Sequence, residues 1–154
     1  MKINNLTNSR FNEASKKISK KTECLNKLIN ALNKREVPSN IVDQFNEKIN
    51  SLNTFSESNS KYLKLQRKTH YNILSLIEKE LKVVPKNFYR DRWIGIGMAV
   101  FGVAFGAAFG AALGNMAFIG IGIPIGMAIG IAIGTAKDKA AKEAGLQLDL
   151  ENEF

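Results

Sequence analysis

Between Trp93 and Ala136 the chain runs for 44 residues without a charged side chain. Inside that run glycine recurs in four-residue steps, at Gly102, Gly106, Gly110 and Gly114 and again at Gly122, Gly126, Gly130 and Gly134. An interior glycine costs a helix in water roughly 0.5–1 kcal/mol relative to alanine, so glycines at fixed phase are a poor way to build a soluble helix. In lipid the terms change. Hydrocarbon tails are as apolar as leucine, helices associate there by close packing, and small residues let two backbones approach. One helix of this length would measure ~66 Å, about twice the ~30 Å hydrocarbon core of a bilayer. The segment therefore reads as a hairpin, with a first helix over residues 93–114, a turn at Gly114 and Asn115, and a second helix from about Ala117 or Phe118 to Ala136. The eight glycines are its expected packing residues. Pro124 removes a backbone donor inside the second helix and places a kink at Gly120 to Pro124. Beyond the apolar zone, TAKDKAAKEA continues as an exposed helix with Gly145 as its C-cap. LQLDLENEF reads as a loosely ordered acidic tail.

Charge is segregated along the chain. Residues 1–92 hold nineteen Lys and Arg against nine Asp and Glu, whereas residues 93–154 hold three against five. Lys86, Arg90 and Arg92 precede the first span, Lys137, Lys139 and Lys142 follow the second, and the connecting turn is uncharged. The positive-inside rule then puts both termini in the cytoplasm. Tyr89 and Trp93, with Arg90 and Arg92, are the expected anchors at the membrane interface. No N-terminal signal peptide is expected, because MKINNLTNSRFNEASKK has no apolar core.

The basic half has helical periodicity. Phe11, Ile18, Leu25 and Leu32 recur every seven residues with Ala14 and Leu28 between them, predicting a helix over 3–36 that Pro38 stops. Ser39 is the expected N-cap of a second helix carrying Ile41, Phe45, Ile49 and Leu52. Thr54 and Glu57 have capping-box spacing and mark a bend. A third segment, 57–84, presents Tyr62, Leu63, Ile73, Leu76, Ile77 and Leu81, and Asn59 and Gln66 interrupt its seam in the manner of an oligomeric stalk. The division is thus a cytoplasmic helical module (1–85), a juxtamembrane linker (86–92), a transmembrane hairpin (93–136), and a cytoplasmic helix end with the tail (137–154). The expected fold class is all-α, a helical hairpin and stalk helix followed by a glycine-zipper hairpin, assembled as a homo-oligomer.

Two clusters are candidate anion-binding sites: Lys16, Lys17, Lys20 and Lys21 in the first helix, and Lys61, Lys64, Arg67 and Lys68 in the third. Spacings of three and four put each on one helix face. If the first two helices turn back at Pro38, the clusters lie at the same end of the module. Such a face suits phosphate contacts to an oligonucleotide or nucleotide, and equally suits a solvated surface attracted to anionic lipid. Tyr62 and Tyr71 are the local candidates for base stacking. Catalysis has little to stand on. Cys24 and His70 are single residues on separate helices, no paired carboxylate has nucleophile or metal-ligand spacing, and no phosphate loop occurs. Neither an enzyme nor a cofactor or metal is expected.

RDRWIGIGMAVFGVAFGAAFGAALGNMAFIGIGIPIGMAIGIAIGTAKDKAAKEAG, residues 90–145, resembles the bacterial glycine-zipper small membrane proteins, which have two glycine-rich spans and a basic segment after the second. With its added basic module the plan is similar to the membrane effectors of phage-defence systems, including the Hailong type, which is held by a DNA oligomer. The resemblance implies a bacterial inner-membrane oligomer, lipid-embedded and self-associating, that acts as a pore or ion channel under the control of an anionic ligand such as an oligonucleotide. The alternative is a non-conducting anchor that recruits a cytoplasmic partner protein.

Overall fold

The computed structural model of the chain describes residues 2–7 and 15–151. Two units divide it: Met1–Val83 together with Leu148–Phe154, and Val84–Gln147. The first boundary lies close to the expected end of the module, but the tail belongs to the module rather than standing apart.

In the first unit the heptad pattern forms α1 (Lys16–Leu32), α2 (Ser39–Asn53) and α3 (Asn59–Leu76), which a π-helical turn extends over Ile77–Leu81. Ile18, Leu25, Leu28 and Leu32 of α1, Ile41, Phe45, Ile49 and Leu52 of α2, and Tyr62, Ile73 and Ile77 of α3 are all buried in its core. The expected stalk is therefore corrected. The apolar face of α3 is consumed within one chain, and Gln66, expected to interrupt a seam between subunits, lies fully buried against α1. Asn59 is exposed at the start of α3. The bend between α2 and α3 is present, but the cap there is Ser58, whose hydroxyl accepts from the Lys61 N–H at 3.5 Å, and not Thr54 with Glu57. Ser39 is the first residue of α2 and not its cap, a place taken by Pro38.

The predicted helix over 3–36 is also corrected. Residues 2–7 are extended, and Ile3 and Leu6 are buried at 4% and 3% exposure. Phe11 and Ala14 lie outside the described residues. What competes with a helix here is a set of four asparagine side chains. Asn33 accepts from the Ile3 N–H at 2.8 Å and donates to the Ile3 carbonyl at 3.0 Å, and Asn26 does the same for Leu6 at 2.9 and 3.1 Å. From α2, Asn46 accepts from Asn4 and donates to Lys2, while Asn53 accepts from Thr7 and donates to Asn5. A strap without a partner strand thus has backbone groups satisfied by amides, each of which spends one donor and its acceptor on the strap.

The acidic tail is folded as well. β2 (Gln147–Glu151) is a strand, not loose chain, and its Leu148 is 2% exposed. Leu146, Leu148 and Leu150 alternate with polar residues, which is a strand period. In the first unit, Asp149, Leu150 and Glu151 line a cleft of about 230 Å³ together with Cys24 and Lys27 of α1.

The second unit opens with β1 (Val84–Lys86). The Val84 N–H donates to the Leu146 carbonyl at 3.0 Å, joining the chain that enters this unit to the chain that leaves it. α4 runs over Phe88–Ala112 and is interrupted by a π-helical turn at Met98–Gly102. Most of the expected linker is thus already helix. A tight turn follows in which Gly114 has φ +63°, and the Asn115 side chain accepts from the Ala117 N–H at 2.9 Å. α5 covers Ile119–Glu143 and contains Pro124. Proline's missing N–H leaves the Gly120 carbonyl without its usual helical donor. Gly145, at φ +70°, follows the helix end as expected.

Candidate functional site

The basic face belongs to the first unit. Lys16, Lys17 and Lys20 of α1 and Lys64, Arg67 and Lys68 of α3 are exposed, and Lys21 is half-buried. The two clusters adjoin. Burial and the neighbouring Arg67 guanidinium lower the pKa of Lys21, with Lys17 and Lys20 adding to the effect. Like charges are therefore gathered from two helices, an arrangement that an anion would relieve. Lys61 is occupied otherwise: its ammonium pairs with Glu57 one turn earlier, which raises its pKa. Around the first turns of α1, Lys16, Lys17, Lys20 and Lys21 line a depression of about 820 Å³ with Ser19 and Glu23.

Beneath this face lies a buried polar layer. The Gln66 amide donates to the Thr22 hydroxyl at 2.9 Å and towards the Ile18 carbonyl at 3.5 Å. Thr69 and His70 are buried beside it. Burial, aided by the Lys21 charge, depresses the His70 pKa to about 3, so its imidazole is neutral at physiological pH. Tyr62, expected as a stacking platform, is corrected: it is 0% exposed, stands 5.7 Å from the Phe55 ring, and burial pushes its hydroxyl up to about 12. Tyr71, 65% exposed, remains open to a ligand.

The second site is the inner seam of the α4–α5 hairpin. Gly122, Gly126, Gly130 and Gly134 are buried in steps of four, and what they meet is the backbone of α4. A Cβ on Gly122 would lie 2.6 Å from the Gly106 Cα, one on Gly126 2.7 Å from the Gly102 Cα, one on Gly130 2.9 Å from the Trp93 carbonyl carbon, and one on Gly134 2.7 Å from the Tyr89 carbonyl oxygen. Gly110 is buried as well. Gly97, absent from the expected set, belongs to the seam: a Cβ there would lie 2.8 Å from the Gly130 Cα. Gly97 and Gly102 are five residues apart, which on a regular helix is ~500°, about 140° out of phase. The π turn at Met98–Gly102 takes up the extra residue, and both glycines face α5. Gly114 is corrected from packing residue to turn residue, with nothing within 4 Å of a Cβ built there, and Gly120 likewise faces open space.

The four-residue series does not stop at Gly134. Asp138, 7% exposed, is its next member. Its carboxylate accepts from the Tyr89 N–H at 3.0 Å and the Arg90 N–H at 2.9 Å. These are first-turn donors of α4 that its own cap residue, Asn87 at φ 60°, does not satisfy by side chain. A carboxylate from one helix thus caps the other, where the helix dipole favours negative charge. Lys137 stands 5.8 Å from the ring centroids of both Tyr89 and Trp93, and Arg90 pairs with Asp91 at 3.1 Å. The base of the hairpin is a layer of aromatics and charges. Away from the seam the large side chains point outward: Val100, Val103, Phe105, Phe109, Leu113, Ile121, Ile123 and Met127 are exposed. Both helices are long and apolar enough to cross a membrane, with 22% of each apolar stretch buried.

Comparisons with protein-family models, with curated proteins and with solved structures give no match. Gly97, Asp138 and the four asparagines are the residues that sequence reasoning missed. All but Gly97 had a signal: Asp138 continues the glycine period, and Asn26 with Asn33, like Asn46 with Asn53, stands seven residues apart on a helix face.

Proposed function

We propose that the chain is an integral membrane effector whose hairpin crosses a bilayer twice and whose basic module takes an anionic ligand on the cytoplasmic side. The observation that carries this reading is the inverted distribution of size along the hairpin, with glycine backbones inside and bulky apolar side chains outside. A water-soluble pair of helices buries its large side chains, whereas lipid makes no such demand and rewards close backbone approach. Lysine and arginine on the flanks of both spans support cytoplasmic termini in a bacterial inner membrane. The resemblance to phage-defence effectors of the Hailong type supports an oligomer that conducts ions under the control of an oligonucleotide or another polyanion. Like charge gathered at Lys20, Lys21, Lys64, Arg67 and Lys68 supplies the receptor.

The non-conducting anchor that recruits a cytoplasmic partner is favoured by a different observation: the glycine seam is consumed within one hairpin. Ion flux from liposomes loaded with the pure protein separates the two. Flux that changes when an oligonucleotide is added supports the effector, and tight liposomes at every ligand concentration reject it. Charge reversal at Lys20, Lys21, Lys64 and Lys68 together is expected to abolish oligonucleotide binding, whose affinity in the parent falls steeply with salt.

A further inference from the structure

The two flanks of the hairpin are unlike. On α5, Ile125, Ile129, Ile133 and Lys137 each stand one position before a seam residue, Gly126, Gly130, Gly134 or Asp138. On α4, Phe101, Phe105 and Phe109 stand likewise before Gly102, Gly106 and Gly110. Tyr89 and Trp93 precede Arg90 and Ile94, whose Cα atoms face Gly134 and Gly130 across the seam. One position is ~100° of helix rotation, so in an antiparallel pair these residues of α4 and α5 lie on the same side. The observed contact agrees, because the Lys137 ammonium stands 5.8 Å from the ring centroids of both Tyr89 and Trp93. The opposite flank carries Val103, Ala107 and Ala111 on α4 and Ile123, Met127 and Ile131 on α5. Its lysine, Lys139, pairs with Glu143 at 3.9 Å.

Lys137 is exposed, and among the described residues it pairs with no carboxylate. The nearby acids are engaged elsewhere: Asp138 accepts from the Tyr89 and Arg90 N–H groups, and Asp91 pairs with the Arg90 guanidinium. Two half-buried rings thus hold the ammonium where the apolar stretch begins, which fixes a cation before any anion arrives. From there an apolar column runs along the same flank. Ile133, Ile129, Ile125 and Phe101 are half-buried, and Phe105 and Phe109 are 39% and 41% exposed. We propose that this flank holds one acidic phospholipid of the cytoplasmic leaflet, its phosphate against Lys137 and its acyl chains along the phenylalanines of α4 and the isoleucines of α5. The inference rests on the membrane hairpin of the preceding section. Charge complementarity favours this occupant. A phosphate diester supplies the anion that the ammonium lacks, basic sites beside spans on the cytoplasmic side take acidic head groups, and a phospholipid joins that anion to the hydrocarbon the column calls for. A second copy meeting this flank about a two-fold axis would instead bring its own Lys137 against the first, a like charge.

Trp93, the single tryptophan, lies in the proposed site, so quenching of its fluorescence by brominated acyl chains reads the occupant. The full chain is reconstituted in phosphatidylcholine vesicles that contain an equal small fraction of either dibrominated phosphatidylglycerol or dibrominated phosphatidylcholine. The anionic lipid is expected to associate with Trp93 about fivefold more tightly than the zwitterionic one. Lys137→Gln should bring that ratio close to one and Lys137→Arg should keep it. Lys139→Gln, which removes the same charge from the opposite flank, should keep most of it. Equal quenching by both lipids in the parent, or the same loss in Lys137→Gln and Lys139→Gln, overturns the site. Glycerol 3-phosphate, a head group without acyl chains, is expected to leave the quenching unchanged; relief of quenching makes the site one for soluble phosphates and overturns the lipid. Protein that survives an alkaline wash of the vesicles yet is quenched by neither lipid has this flank covered by another copy, which also overturns the lipid. Protein removed by the wash refutes the membrane hairpin itself, so the two failures are told apart.

Discussion

Alanine in place of glycine has opposite consequences at two positions of α5 six residues apart. At Gly126 a Cβ would sit 2.7 Å from the Gly102 Cα and still closer to the Gly102 nitrogen and the Gly97 oxygen. Ordinary contact begins near 3.4 Å, and every one of these neighbours is backbone, so no rotamer change relieves the clash. The helices must part by something like 1 Å, and overpacking of that kind costs about 1–3 kcal/mol. At Gly120 nothing lies within 4 Å, so alanine there removes freedom from the unfolded chain and gains up to about 1 kcal/mol. The two variants should differ by about 1–4 kcal/mol, or roughly 5- to 1,000-fold in the closed-to-open equilibrium of the hairpin. Trp93 is the single tryptophan and its carbonyl abuts Gly130 in the seam, so its fluorescence during thermal unfolding in detergent reports directly on the hairpin. A midpoint that drops for Gly126→Ala and holds or rises for Gly120→Ala is expected. Equal midpoints would refute the seam as the source of hairpin stability.

Removing the cross-helix cap should loosen the same hairpin from its base. Asp138→Ala loses two hydrogen bonds to a charged acceptor and is expected to cost about 3 kcal/mol, with Asp138→Asn less damaging because one acceptor oxygen remains; amide exchange at Tyr89 and Arg90 is the measurement, and unchanged protection speaks against the cap. The module should carry an acid sensitivity from His70. Its folded pKa of about 3 lies below the ordinary ~6.5, so its contribution is complete above about pH 6.5 and is lost as pH falls towards 3. Between pH 6 and 4 the loss is about 2 kcal/mol, and a denaturant titration of His70→Leu should lack that slope.

The sequence made the hairpin legible because a membrane-length apolar run with periodic glycine leaves few alternatives. Two apolar helices of membrane-spanning length, the turn at Gly114 and Asn115, the place of Pro124 inside the second helix and the Gly145 stop were read from it. The direction of the glycine faces was not. A four-residue repeat describes a groove without saying whether another span of the same chain or a second chain fills it, and only the backbone contacts of Gly122 to Gly134 decide that. Gly97 escaped because period counting assumes a regular helix, and the π turn at Met98–Gly102 breaks the count. In the module, the heptad pattern found the core positions of α1 and α2. It failed at residues 3–7, because Ile3 and Leu6 sit three apart as on a helix while the forces that extend them come from asparagines twenty to forty-eight residues away. The tail was misread for a related reason: acidic composition suggested disorder, whereas the alternation of Leu146, Leu148 and Leu150 was the stronger signal.

The use of glycine inside the hairpin constrains how copies of it can meet. With Gly97, Gly102, Gly106, Gly122, Gly126 and Gly130 facing one another across α4 and α5, the close-approach surfaces are consumed before a second chain arrives. The faces left exposed carry Val100, Val103, Phe105 and Phe109 on α4 and Ile121, Ile123 and Met127 on α5. A pore formed between such hairpins would be lined by side chains that repel water, and hydrophobic constrictions of that kind gate by dewetting. On the proposed reading, conduction would respond to repulsion among Lys20, Lys21, Lys64 and Arg67 in neighbouring modules. Repulsion among these like charges would favour splayed modules and a bound anion would draw them together, so on the proposed reading ligand binding should close the pore. Opening on ligand addition, measured as increased flux from the same liposomes, would reverse that sign and place the energetic control somewhere other than the basic face.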